Sequence, residues 1–182
     1  MRAVLIGLGL AAVLFITSAP AGASIPIGPG PSGHYRVEPQ PQGCHYRTAA
    51  DGATLPDPAC TPGALNPRAT QETLTTTICK SGYTTSIRPP ASITEPEKKD
   101  SARGYSYTGS LADAEFDHLV PLELGGDPND PRNLWIEPGR STNPKDRVEN
   151  TLHERVCSGA VALAKAQEAI ATDWTTALQV AQ

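Results

Sequence analysis

The spacing of apolar positions changes several times along this chain, and each change predicts an element. An unbroken apolar run over residues 3–16 comes first. Residues 24–43 have no periodicity and are rich in Pro and Gly, so they predict an extended, mobile lead-in. Residues 44–69 stay loop-like but hold two cysteines, which should pin them. Thr70 can cap a short helix over 71–79, with Leu74 and Ile78 on one face. Residues 83–87 are β-branched and aromatic and predict a strand, stopped by Arg88-Pro89-Pro90. Thr94 with Glu97 forms a capping-box pattern for a helix closed by Gly104. Residues 115–121 predict a strand, Gly125-Gly126 and residues 127–131 a turn-rich loop, and residues 134–136 a second strand. Asn143-Pro144 then opens a helix whose Val148, Leu152 and Val156 share a face. A last helix is expected over 161–178, burying Leu163, Ala166, Ile170 and Trp174.

The chain has 182 residues and a formal net charge of −4. That is not the globally basic surface of a typical nucleic-acid binder. Residues 1–23 begin with Arg2, continue through the apolar run and end in Ala21-Gly22-Ala23. This is the pattern of a secretory signal peptide cleaved after Ala23, and the run is short of the roughly 20 apolar residues of a membrane span. The expectation is a protein secreted or held in the cell envelope. Residues 24–59 then form a largely irregular N-terminal segment, and residues 60–182 a single domain with a C-terminal helix. Four cysteines, Cys44, Cys60, Cys79 and Cys157, suit two disulfides in an exported chain. Three pairings are possible, and Cys44–Cys60 with Cys79–Cys157 is the favoured one. A structural zinc site is the competing use, but no Cys-x-x-Cys pair is present.

The chemistry concentrates between residues 117 and 147. Asp117 and His118 are adjacent on the first predicted strand, Asn133 follows the loop, and Asn143 opens the helix. There is no Gly-x-Ser-x-Gly, no His-Glu-x-x-His and no Walker-type phosphate loop. The string Asp117-His118-Leu119-Val120-Pro121, then Gly125-Gly126, then Asn133-Leu134, resembles the core of the HNH (ββα-metal) endonucleases. Residues 60–175 as a whole also resemble a group of exported bacterial proteins that carry this core, with Cys60-Thr61-Pro62-Gly63-Ala64 at the start and Ala171-Thr172-Asp173-Trp174 at the end.

The resemblance implies a small α+β fold: a ββα-metal core with flanking helices, stapled by disulfides. It implies His118 as general base, Asn133 as the residue that braces the loop and helps orient the base, and Asp117 as a metal ligand. Asn143 is the choice for the second protein ligand, with His153 as an alternative. Hard oxygen ligands suit Mg2+, with Mn2+ or Ca2+ as substitutes, better than zinc. Lys145 and Arg147 at the helix start are candidates for gripping a phosphate of a nucleic-acid substrate, DNA or RNA. The expected activity is therefore phosphodiester hydrolysis; the alternative is a non-catalytic exported binding protein that keeps the ββα scaffold. Plainer readings stand beside these. Asn143 is a helix cap whether or not a metal is present. Asp127, Asn129 and Asp130 are turn residues, Glu123 reads as a salt-bridge or supporting residue, and Trp135 and Trp174 read as core. In an ideal strand Asp117 and His118 point to opposite faces, so a common site needs a twist, a bulge or a strand end.

Overall fold

The computed structural model describes residues 24–181. The signal-peptide reading of residues 1–23 lies outside them. The fold is α+β, with two small two-stranded antiparallel sheets, a set of helices and two disulfides. Strands β1 (Arg47–Thr48) and β2 (Thr54–Leu55) make a minimal hairpin near the start. Helices α1 (Tyr83–Ile87) and α2 (Ala91–Gly104) follow. Strands β3 (Ala114–His118) and β4 (Leu134–Pro138) pair from Ala114↔Pro138 to His118↔Leu134, with the loop 119–133 between them. Helix α3 (Pro144–Cys157) comes next, and α4 (Leu163–Thr172) and a 3-10 turn (Ala177–Ala181) close the chain. Among the described residues no helix is long and apolar enough to cross a membrane.

Helix α3 begins where its sequence predicts. Asn143 Oδ1 accepts from the Lys145 N–H at 2.8 Å, Asp146 Oδ2 accepts from the Asn143 N–H at 2.6 Å, and Pro144 stands at the first helical position. Its apolar face, Val148, Leu152 and Val156, packs with Val161, Leu163, Ala166, Ile170 and Trp174 to make the larger core. A second cluster, built from Trp135, Ile136, Tyr105, Leu119 and the Cys44–Cys60 disulfide, lies under the β3–β4 hairpin. Both disulfides have the favoured pairing, Cys44–Cys60 and Cys79–Cys157. Their presence suggests an oxidising, extracytoplasmic setting.

Several elements depart from expectation. Residues 83–87 are helical, not a strand. β-Branched residues prefer strands only when a neighbouring edge is there to pair with. Here Gly82, at φ 80°, turns the chain into a helical turn that buries Ile87 and lets the Tyr83 hydroxyl accept from Asn66 Nδ2 at 2.9 Å. Residues 71–76 are a 3-10 segment rather than an α-helix, because the threonine hydroxyls bond back to nearby carbonyls: Thr73 to Arg68, Thr76 and Thr77 to Thr73. Helix α2 starts at Ala91, ahead of the Thr94–Glu97 pair. Glu97 is fully buried and accepts from the Glu38 N–H at 2.8 Å instead of capping. The last helix stops at Thr172, where Asp173 Oδ1 accepts from the N–H and hydroxyl of Thr175 and restarts the chain as a turn. Residues 24–43 are irregular, as Pro and Gly require, but they are tied along the domain as a strap rather than hanging free. Their ties include Gly30 N–H to Asp127, Glu38 N–H to Glu97 and the Tyr35 hydroxyl to the Ile87 carbonyl at 2.5 Å.

Candidate active site

Asp117 and His118 are the last two paired residues of β3, opposite Trp135 and Leu134, and the chain turns away toward Pro121 directly after them. Both residues line one small cavity of about 110 Å³, together with Glu115, Glu123, Asp146, Glu149 and Arg88. Helix α3 contributes Asp146 and Glu149, the 3-10 turn Leu122–Leu124 contributes Glu123, and the segment after α1 contributes Arg88. A second, larger cavity of about 420 Å³ shares Arg88, Glu115, Phe116 and His118 with the first, and adds Lys98 and Arg140.

His118 is 7% exposed, and its Nε2 lies 3.0 Å from the Pro128 carbonyl. A carbonyl only accepts, so Nε2 carries the proton and Nδ1 keeps a free lone pair. Burial pushes the imidazole down to about 4, against the opposing pull of Asp117 and the Pro128 carbonyl. The ring is therefore neutral at ordinary pH, and a weaker base than a free imidazole. Asn133 is fully buried and closes the 119–133 loop. Its Oδ1 accepts from the Val120 N–H at 3.0 Å and the Ala64 N–H at 3.3 Å, and its Nδ2 donates to the carbonyls of Val120 (2.9 Å) and Asp127 (3.0 Å).

The remaining expected site residues are arranged differently. Lys145 is 1% exposed, and its ammonium donates to Asp117 Oδ2 at 2.6 Å, to the His118 carbonyl at 2.9 Å and to Glu149. All three protons are used inside the protein, so Lys145 does not reach out for a phosphate. Burial alone would lower its pKa, but Asp117, Glu149 and Glu137 outweigh burial and hold it above the usual lysine range. Asn143 spends its Oδ1 on the helix cap, and its Nδ2 faces Glu137 Oε2 at 3.4 Å and Glu115 Oε2 at 3.5 Å. It does not line the small cavity and offers no oxygen there. Arg147 is on the exposed side of α3. His153 lies elsewhere: its Nε2 is 2.9 Å from the Ile78 carbonyl. Its ring nitrogen and the sulfurs of Cys79 and Cys157 fall within 4.8 Å of one another. Such a group could hold a metal ion, but the two sulfurs are joined in a disulfide and present no thiolate.

Three carboxylates that matter here, Glu115, Glu137 and Glu149, carried no clear signal in sequence. Glu115 and Asp117 are two apart on β3, and Glu137 pairs opposite Glu115 on β4. Burial pushes Glu137 up to about 9 and Glu149 up to about 7, the latter against the Lys145 charge, and it raises Glu115 and Glu123 as well. Glu123 Oε1 is buried without a hydrogen-bond partner. The i, i+4 spacing of Lys145 and Glu149 was the one readable hint of this cluster. The chain matches no family model, no curated protein and no solved structure.

Proposed function

We propose that this protein is an exported, metal-dependent phosphodiesterase of the HNH (ββα-metal) kind that hydrolyses nucleic acid. The observation that carries the reading is His118 itself, a neutral imidazole fixed through Nε2 to the Pro128 carbonyl and opening on a carboxylate-lined cavity. Its Nδ1 lone pair is available for the proton of an attacking water; burial weakens it as a base, and the neighbouring Asp117 carboxylate pulls its pKa back toward the working range. Asn133 supports this by bonding Val120 at the start of the loop and Asp127, the residue before Pro128. Asp117, Glu123, Asp146 and Glu149 offer carboxylate oxygens of the kind a hard divalent cation such as Mg2+ takes, and one oxygen of Glu123 is buried without a partner. No three of these groups stand within 4.8 Å of one another, so the side chains would have to close up, and Lys145 give way, to hold an ion. When bound there, a cation would stabilise negative charge on the phosphoryl and leaving oxygens. Arg88 is exposed and stands where the two cavities meet, so it replaces Lys145 as the candidate for binding phosphate.

The test is plasmid nicking by the purified protein with Mg2+ or Mn2+ and with chelator. Cleavage is expected only with metal, and His118→Ala should keep the fold and lose at least a hundredfold in rate, the usual scale for a general base. Full activity in that variant ends the proposal. One observation favours a non-catalytic binding protein on the same scaffold: the Lys145 ammonium already spans Asp117 and Glu149, oxygens a cation would share. That reading expects no cleavage of any nucleic acid and no metal-dependent rise in melting temperature.

A further inference from the structure

We propose that Asp127 is a positioning residue: it clamps the N-terminal strap to the 127–131 turn and so fixes the Pro128 carbonyl that sets the tautomer of His118. The catalytic consequence rests on His118 acting as the base; the tautomer does not.

Asp127 is fully buried, and each of its polar groups is bonded. Its Oδ1 accepts from the N–H groups of Asn129 (3.0 Å) and Asp130 (2.9 Å), which winds the turn around Pro128. Its Oδ2 accepts from the Gly30 N–H of the strap at 2.7 Å. Its N–H donates to the Ala64 carbonyl at 2.8 Å, and its carbonyl accepts from Asn133 Nδ2 at 3.0 Å. A carboxylate is needed because it can accept on both oxygens at once. The next residue along the chain is Pro128, whose carbonyl meets His118.

The strap is shaped to this carboxylate. A Cβ on Gly28 would stand 2.3 Å from Asp127 Oδ2, so only glycine lets the strap pass. Gly28 N–H donates to the Leu65 carbonyl and Leu65 N–H to the Pro26 carbonyl, both at 2.8 Å, which sets the strap's course. Asn129 Nδ2 donates to the Arg36 carbonyl at 2.9 Å, and the Arg132 guanidinium donates to the Ile27 carbonyl at 3.2 Å. The turn that aims the base is thus held from one side by the domain, through Asn133, and from the other by the N-terminal segment, through Asp127.

The experiment uses the protein from residue 24 onward, with its disulfides intact, in three variants: Asp127→Asn, Gly28→Ala and, as a control on an exposed strap residue, Val37→Ala. Ring 15N NMR reads the His118 tautomer, assigned by loss of its signals in His118→Gln. The wild type and Val37→Ala should show a single Nε2–H tautomer. Asp127→Asn, whose amide can accept on one side only, and Gly28→Ala, which pushes the strap away, should show mixed tautomers. In plasmid nicking both should lose at least tenfold in kcat with KM within about twofold. Should Asp127→Asn fail to fold, Gly28→Ala carries the test. An unchanged tautomer and kcat in a folded variant overturns the proposal. A wild type that cleaves nothing refutes the nuclease reading but leaves the tautomer measurement to decide this one.

Discussion

His118 is where acidity acts against the fold most directly. Its pKa is pushed from 6.5 to about 4 by burial, so the folded chain keeps the ring neutral where the unfolded chain protonates it. The unfolded state then binds more protons between those values. The stability tied to this ring is complete above about pH 6.5 and falls as the pH drops toward 4, by up to about 3 kcal/mol. The buried carboxylates act in the opposite sense. Glu149 and Glu137, raised to about 7 and about 9, take up protons on folding, so their contribution is full below 4.5 and is lost as pH rises through the folded values. The ring's share is isolated by comparing the wild type with His118→Gln in urea at several pH values. The stability of the wild type relative to the variant should grow from pH 4 to 6.5 and level off beyond. A difference that stays flat across this window would mean that the ring is not held neutral in the fold.

Among the elements, the two disulfides differ most in what they constrain. Cys44 and Cys60 are 16 residues apart, while Cys79 and Cys157 are 78 apart. Chain entropy assigns about 3 kcal/mol to the first loop and about 4.5 kcal/mol to the second. Replacing both Cys79 and Cys157 by Ser should therefore lower the melting temperature by some 3–6 °C more than the same change at Cys44 and Cys60. The reverse order in a thermal melt would show that packing, not loop closure, decides. Helix α3 was legible because its signals are local: a capping Asn, a Pro at the first position and apolar residues at helical spacing. The partner of Cys157 was not, because all three pairings of four cysteines suit the sequence and Cys79 lies 78 residues away. The strand proposed for residues 83–87 was not, because propensity says nothing of whether an edge is free to pair. The site divides in the same way. Asp117, His118 and Asn133 stand together in a readable string. The burial of Lys145 depends on Asp117, brought to it from 28 residues away, and the Glu115–Glu137 pair exists only through the β3–β4 register. Arg88, in front of two prolines, carries no signal until α1 turns it toward His118.

At the scale of the whole molecule the charge is −4, so the chain as a whole repels a polyanion, and five carboxylates, Glu115, Asp117, Glu123, Asp146 and Glu149, line the proposed cation site. This couples cation binding to protons. Glu149, held up to about 7, is largely protonated at pH 6, and a cation that takes its oxygen must displace that proton. Mg2+ or Mn2+ binding at pH 6 should then release close to one proton per ion, falling toward none by pH 8. The apparent affinity should climb with pH, nearly tenfold per unit at the acid end, and flatten above about pH 8. Titration calorimetry in two buffers of different ionisation enthalpy counts the protons directly. Glu149→Gln should remove both the release and the pH dependence, while weakening binding at pH 8 by the loss of one ligand. Binding at pH 6 with no proton released would place the ion away from Glu149, and no binding at any pH would leave Lys145 as the cation of this cluster and favour the non-catalytic reading.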